Sequence, residues 1–176
     1  MITSLEIREI RKGEYDNLGK LMVDVYSKLE GFPTPEEQPG YYDKLFKIGD
    51  LNEQEDTKVL IAVSHEGKIV GGVVYFSNMS QYGSGGTATT ERNASGIRLL
   101  GVDPEYRRSG IGKALAKACI RMAVDRGHPQ VILHTTQAMK VAWKLYQKLG
   151  FKRSEDLDFI QEDLPAFGFR LFLKQP

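Results

Sequence analysis

The chain has 176 residues, 41% hydrophobic and 27% charged, and 24 Lys and Arg against 23 Asp and Glu leave a formal net charge of +1. That suits one domain with an ordinary core and offers nucleic acid no basic stripe beyond a local cluster at 107–113. The lone Cys119 excludes an internal disulfide and a cysteine-based metal site, and no apolar run reaches the roughly 20 residues of a membrane helix.

Ile2 to Ile10 alternates with a period near two and predicts a first strand, not a secretion signal. Leu18, Leu21, Met22, Val25 and Leu29 then recur at helical spacing within Glu14 to Leu29. Gly31-Phe32-Pro33-Thr34-Pro35 ends that helix, because both prolines disfavour continuation. A short helix is expected around Tyr41 to Ile48, then an acidic loop from Asp50 to Asp56. Lys58 to Ser64 and Lys68 to Ser77 are β-branched runs joined by His65-Glu66-Gly67, which predicts a hairpin. The Gly, Ser, Thr and Asn-rich stretch from Ser77 to Gly96 reads as a long exposed loop or the frayed tips of two strands.

Gly96 to Val102 is the next strand, stopped by Asp103-Pro104. Ile111, Ala114, Leu115, Ala118, Cys119 and Met122 mark the clearest helix, which Gly127-His128-Pro129 ends. Val131-Ile132-Leu133 follows as a strand, and a strand–helix–strand order implies a parallel pair with a right-handed connection. Ala138 to Leu149 predicts a last helix, with Val141, Ala142, Leu145 and Leu149 on one side and Gly150 as its left-handed cap. Strands around 151–153 and 168–173 complete one mixed α/β domain, 1–176, with no repeat and no linker.

The junction at 107–113 carries the strongest chemical signal. A loop that opens a helix collects unpaired N–H groups and the positive end of the helix dipole, which suits an anion. Gly110 and Gly112 let the backbone approach an oxygen closely, and Arg107, Arg108 and Lys113 add charge. A nucleotide-triphosphate loop fails here at Arg107 and Ala114. A dinucleotide fingerprint fails at Leu115.

The segment Val102-Asp103-Pro104-Glu105-Tyr106-Arg107-Arg108-Ser109-Gly110-Ile111-Gly112 resembles the acetyl-CoA motif of the GNAT family of N-acetyltransferases, Q/R-x-x-G-x-G/A. Downstream, Ala142-Trp143-Lys144-Leu145-Tyr146-Gln147-Lys148-Leu149-Gly150-Phe151 is similar to the family's second motif, A-x-x-L-Y-x-K-L-G-F. Residues 58–151 carry the resemblance. It implies a single GNAT-like domain: a central, mostly antiparallel sheet, a splayed parallel strand pair and helices on both faces. It also implies acetyl transfer from acetyl-CoA, as co-substrate, to a primary amine that attacks the thioester directly in a ternary complex.

Residue by residue, the resemblance puts the pantetheine arm of CoA on the backbone of Leu100, Gly101 and Val102. The pyrophosphate falls to Arg107, Arg108, Ser109, Gly110, Ile111, Gly112 and Lys113, chiefly through peptide N–H groups from Arg108 onward. Tyr146 matches the family's tyrosine near the sulfur, a general acid for the departing thiolate or else a packed core residue. His134, at the end of a predicted buried strand, is either a candidate to take a proton from the amine or a structural group. His65 and His128 are expected to face solvent. Tyr26 and Phe32 are candidate walls of the acceptor site, alongside Tyr41, Tyr42, Phe159, Phe167 and Phe169.

Three positions depart from the family pattern. Arg98 stands where many members carry a glutamate base, Met139 where many carry an asparagine, and Arg108 where a glycine is common. Arg98 leaves open a domain that binds acyl-CoA without turnover. The expected acceptor is a small-molecule amine or a peptide, with no metal, nucleic acid or membrane. The expected setting is cytoplasmic, and a homodimer is compatible with it.

Overall fold

The structure is a computed structural model that describes residues 4–161 and 163–174. Its sheet runs in the order β1-β2-β3-β4-β5-β8-β6, with β7 paired to β8. The strands are β1 (Glu6–Glu9), β2 (Thr57–Val63), β3 (Ile69–Phe76), β4 (Ala94–Val102), β5 (Gln130–Thr135), β6 (Lys152–Arg153), β7 (Phe159–Gln161) and β8 (Leu164–Phe172). All pairs are antiparallel except β4 with β5. The crossover between those two is α3 (Ile111–Asp125), the connection expected of a parallel pair. The start of the predicted first strand lies outside the described residues.

Alternation along β2 shows how the sheet divides the core. Val59, Ile61 and Val63 face α1 (Tyr15–Ser27) and α2 (Pro39–Phe46), where they meet Leu18, Met22 and Leu45. Leu60 and Ala62 point the other way, toward Leu115 and Cys119 of α3 and Tyr146 of α4 (Lys140–Lys148). Successive strand residues face opposite sides, so a run apolar on both parities must be covered twice. Helices accordingly lie on both faces, as the family resemblance implied.

Two local predictions change. Val141, placed with the apolar side of α4, is 79% exposed, because the buried stripe of this short helix centres on Tyr146 instead. The 77–93 stretch is no free loop: Met79, Tyr82 and Ala88 are buried, and short 3-10 turns form at Met79–Gln81 and Ala88–Thr90. Arg170 of β8 also holds it, donating to Glu91 at 2.7 Å.

α1 and α2 approach closely because Gly19 has no side chain. A Cβ there would sit 2.0 Å from the backbone oxygen of Phe46, at the end of α2. Backbone cannot yield as a side-chain tip can, so Gly19→Ala should part the helices. The expected loss is about 1–3 kcal/mol, read in urea as a lower midpoint with an unchanged slope.

Candidate active site

β4 and β5 pair only from Ala94↔Gln130 to Ile97↔Leu133. β4 runs on to Val102 and β5 to Thr135 without further pairing between them. The cause is visible on the other edge of β4. Gly72 faces Gly101 and Val74 faces Arg98, so Leu99 and Leu100 together oppose the single residue Val73. This β-bulge bends and twists its strand, and it holds Leu99 at φ 58°, a left-handed conformation rare for a branched side chain. The bend carries residues 98–102 away from β5.

The opened gap is a cleft of about 890 Å³, part of it open to solvent. One side is formed by Tyr26 of α1, Phe32 of the connection that follows it and Tyr41 of α2, the other by Ala142 and Tyr146 of α4 and Met139 at its N-cap. Tyr26 and Phe32 therefore meet Leu100 and Tyr146 around one space. The rings of Tyr26, Phe32 and Tyr41 stack edge-on in sequence, with centroids 5.7 and 5.6 Å apart, a favoured aromatic geometry. The Tyr26 hydroxyl donates to the Leu100 carbonyl at 2.9 Å, tying that wall to the bulge. Of the other aromatic candidates only Phe159 joins the cleft. Tyr42 and Phe169 are core, and Phe167 packs on Trp143.

At the end of β4 the chain turns through Arg107 to Gly110 into α3. Arg108 and Gly110 both take positive φ, 67° and 83°. The first helical bond runs from the Ala114 N–H to the Gly110 carbonyl, which leaves the N–H groups of Ile111, Gly112 and Lys113 without helical acceptors. No side chain caps this end. Arg107, Arg108, Ser109 and Lys113 are exposed, whereas the Ile111 side chain is buried and only its backbone can serve an anion. A Cβ on Gly112 would meet Leu145 at 3.4 Å and Val102 at 3.7 Å, so protein packing alone tolerates a side chain there.

Tyr146 is buried, and burial raises its hydroxyl well above the usual phenol range. Among the described residues that hydroxyl has no hydrogen-bond partner. The hydroxyls of Thr135 and Thr136, at the end of β5, are likewise buried and unpartnered, and both residues line the cleft.

His134 also lines the cleft, with both ring nitrogens engaged. Nε2 lies 2.7 Å from the Leu157 carbonyl and must donate to it. Nδ1 then accepts from the Tyr82 hydroxyl at 3.0 Å, and burial lowers the imidazole pKa. Tyr82 was not singled out from the sequence. Its signal was the apolar pair Met79 and Tyr82, three residues apart in an otherwise polar stretch. His128, expected in solvent, is half-buried instead: its Nδ1 meets Ser95 Oγ at 2.8 Å, and Ser95 meets the Tyr75 hydroxyl at 2.7 Å. That chain lies at the paired ends of β4 and β5, away from the cleft.

The description "Acetyltransferase (GNAT) family" matches residues 22–151. The chain belongs to this family. It is 46% identical over 55 residues to human N-acetyltransferase 8, a match covering 31% of this chain and 24% of that protein. It is 44% identical over 79 residues to human N-alpha-acetyltransferase 30, covering 44% and 22% respectively. The match thus spans about a quarter of the length of these relatives. In overall fold it is similar to a GNAT acetyltransferase of Staphylococcus aureus, with a TM-score of 0.75 and 19% identity over 97% of this chain and 100% of that one. It is also similar to the PaiA N-acetyltransferase of Thermoplasma acidophilum, solved in complex with coenzyme A. There the TM-score is 0.73 and the identity 17%, over 94% of this chain and 98% of that one. No group of three or more His, Cys, Asp or Glu among the described residues is placed to hold a metal. No described helix is long and apolar enough to cross a membrane.

The wiring of His134 has a measurable consequence. Its charged form is disfavoured in the fold, so between its folded pKa and the ordinary 6.5 the unfolded chain binds more protons. The stabilisation is complete above that ordinary value and is lost as pH falls below it. NMR titration should show His134 as a neutral Nε2–H tautomer that protonates below the ordinary imidazole value of 6.5.

Proposed function

We propose that the protein transfers an acetyl group from acetyl-CoA to the primary amine of an acceptor by direct attack in a ternary complex. The observation that carries the reading is the parting of β4 from β5 beyond Ile97 and Leu133, which opens a cleft reaching both faces of the sheet. One ligand can enter from each side.

Apart from the Leu100 carbonyl, which accepts from Tyr26, the unpaired edge at Leu100, Gly101 and Val102 offers peptide groups that must find partners in water or in a ligand. The amide-bearing pantetheine arm supplies such partners, and the free Thr135 and Thr136 hydroxyls suit the same arm. At the strand's end the N–H groups from Arg108 to Lys113 would hold the pyrophosphate, with Arg107, Arg108 and Lys113 screening its charge. Gly112 fits this role, because internal packing does not require its missing side chain.

In the reaction the amine nitrogen bonds to the thioester carbon, the carbon–sulfur bond breaks, and the amine loses a proton. Tyr146 donates its hydroxyl proton to the departing sulfur. Burial raises the phenol, but it raises a nearby thiol too: the Cys119 thiol, buried beside Tyr146, is pushed up in the same way. A thiolate formed in such surroundings is a stronger base than in water and takes up a proton more readily. The His134 lone pair is reached only through Tyr82, so the amine proton passes by way of the Tyr82 hydroxyl.

Free-thiol release from acetyl-CoA across polyamines, amino acids, aminoglycosides and peptides tests the reading. Tight CoA binding with no turnover of any of them would instead indicate a binding domain. With an accepted amine, Tyr146→Phe should lower kcat by about 100-fold or more, while stabilisation by CoA in a thermal shift persists. An unchanged kcat would remove Tyr146 from the chemistry.

A further inference from the structure

Arg98 lines the cleft at the bulge, where a glutamate base would sit in many members of the family. Its guanidinium is held in place by the 77–93 segment. Nη1 donates to the Tyr82 carbonyl at 2.8 Å, and the group lies over the Tyr82 ring, 5.6 Å from the centroid. The next residue, Gly83, has φ 78°, and a Cβ there would come within 3.0 Å of Nη1. The loop is shaped around the cation.

No described carboxylate answers it. Arg98 forms no ion pair among the described residues, and no described Asp or Glu lines the cleft. Its charge reaches the hydroxyls of Tyr26, Tyr41 and Tyr82 and opposes the rise that burial causes in each. A neighbouring depression shares Gln38, Tyr41, Arg98, Leu99 and Gln161 with the cleft. It adds Lys44 and Lys47 and, again among the described residues, no acid. Lys47 is paired with Asp43 at 3.2 Å, whereas Lys44 has no ion-pair partner among the described residues. A half-buried guanidinium with donors to spare and no anion beside it among the described residues suits an anionic ligand. The same field repels polycations.

We infer that the acceptor is an amine that itself carries a carboxylate, a free amino acid whose carboxylate seats on Arg98 and whose apolar side chain meets the Phe32 and Tyr41 rings. This rests on the acetyltransferase reading and names its substrate class. The positive charge has a second effect: it disfavours the ammonium form of a nearby amine. Arg98 thus helps present the neutral nucleophile that a glutamate would otherwise generate.

The test compares amino acids with their decarboxylated amines, phenylalanine with phenethylamine and leucine with isopentylamine, in wild type, Arg98→Gln and Arg98→Lys. Wild type should favour the carboxylated partner in kcat/KM. Arg98→Gln should cut that preference about 10- to 100-fold, the range of a hydrogen bond to a charged group, mainly through KM. Arg98→Lys should restore part of it. Stabilisation by CoA in both variants shows that they remain folded. Equal use of both partners by wild type, or a preference that survives Arg98→Gln, overturns this inference alone. So does a preference for peptides with amidated carboxyl groups. Turnover of no amine of any kind removes the acetyltransferase reading as well.

Discussion

A peptide group shut away from water without a partner costs about 1–3 kcal/mol, so a sheet rarely leaves a central strand half-paired. Here β4 is central, yet its edge toward β5 is unpaired beyond Ile97. The bulge at Leu99 and Leu100 enforces this by fitting two residues opposite Val73, and it stores strain in the positive φ of Leu99. Strain of this kind is found where function depends on it. The cleft, its access from both faces and the closeness of Tyr26 to Tyr146 follow from that mismatch.

The electrostatics follow from the same opening. Burial keeps the tyrosines around the cleft protonated and His134 neutral, leaving Arg98 as the fixed charge among the described residues that line it. Under the proposed reaction, two places would take anions: the start of α3 the donor's phosphates, and Arg98 the acceptor's carboxylate. The Tyr82 carbonyl and ring hold the second in position, so the 77–93 segment belongs to the site although its composition reads as linker. Gly19 makes a similar contribution from a distance, setting how closely α2 and its aromatic wall stand to α1.

Local signals in the sequence foretold the frame. Periodicity placed α1, α3 and the β2–β3 hairpin, and the Gly150 cap adopts φ 101° as expected. The loop at 107–113 and Tyr146 stood out as candidates because they lie in contiguous motifs. Tyr82 and the partners of His134 were not, because hydrogen bonds from residue 82 to 134 and from 134 to 157 span distances no local pattern encodes. Arg98 was visible only as a departure from a motif. Its meaning needed the absence of described carboxylates around it, a property of the folded cleft. Val141 misled because a nine-residue helix has too few turns for its stripe to be fixed by spacing.

The proposed function requires CoA to lie along the open edge of β4 and end at the N-terminus of α3. Amide hydrogen exchange with and without CoA tests this directly. CoA should slow exchange at Gly101 and Val102 and from Arg108 to Lys113, leaving the already paired stretch from Ala94 to Ile97 nearly unchanged. Protection confined to other segments, or none at saturating CoA, would contradict it.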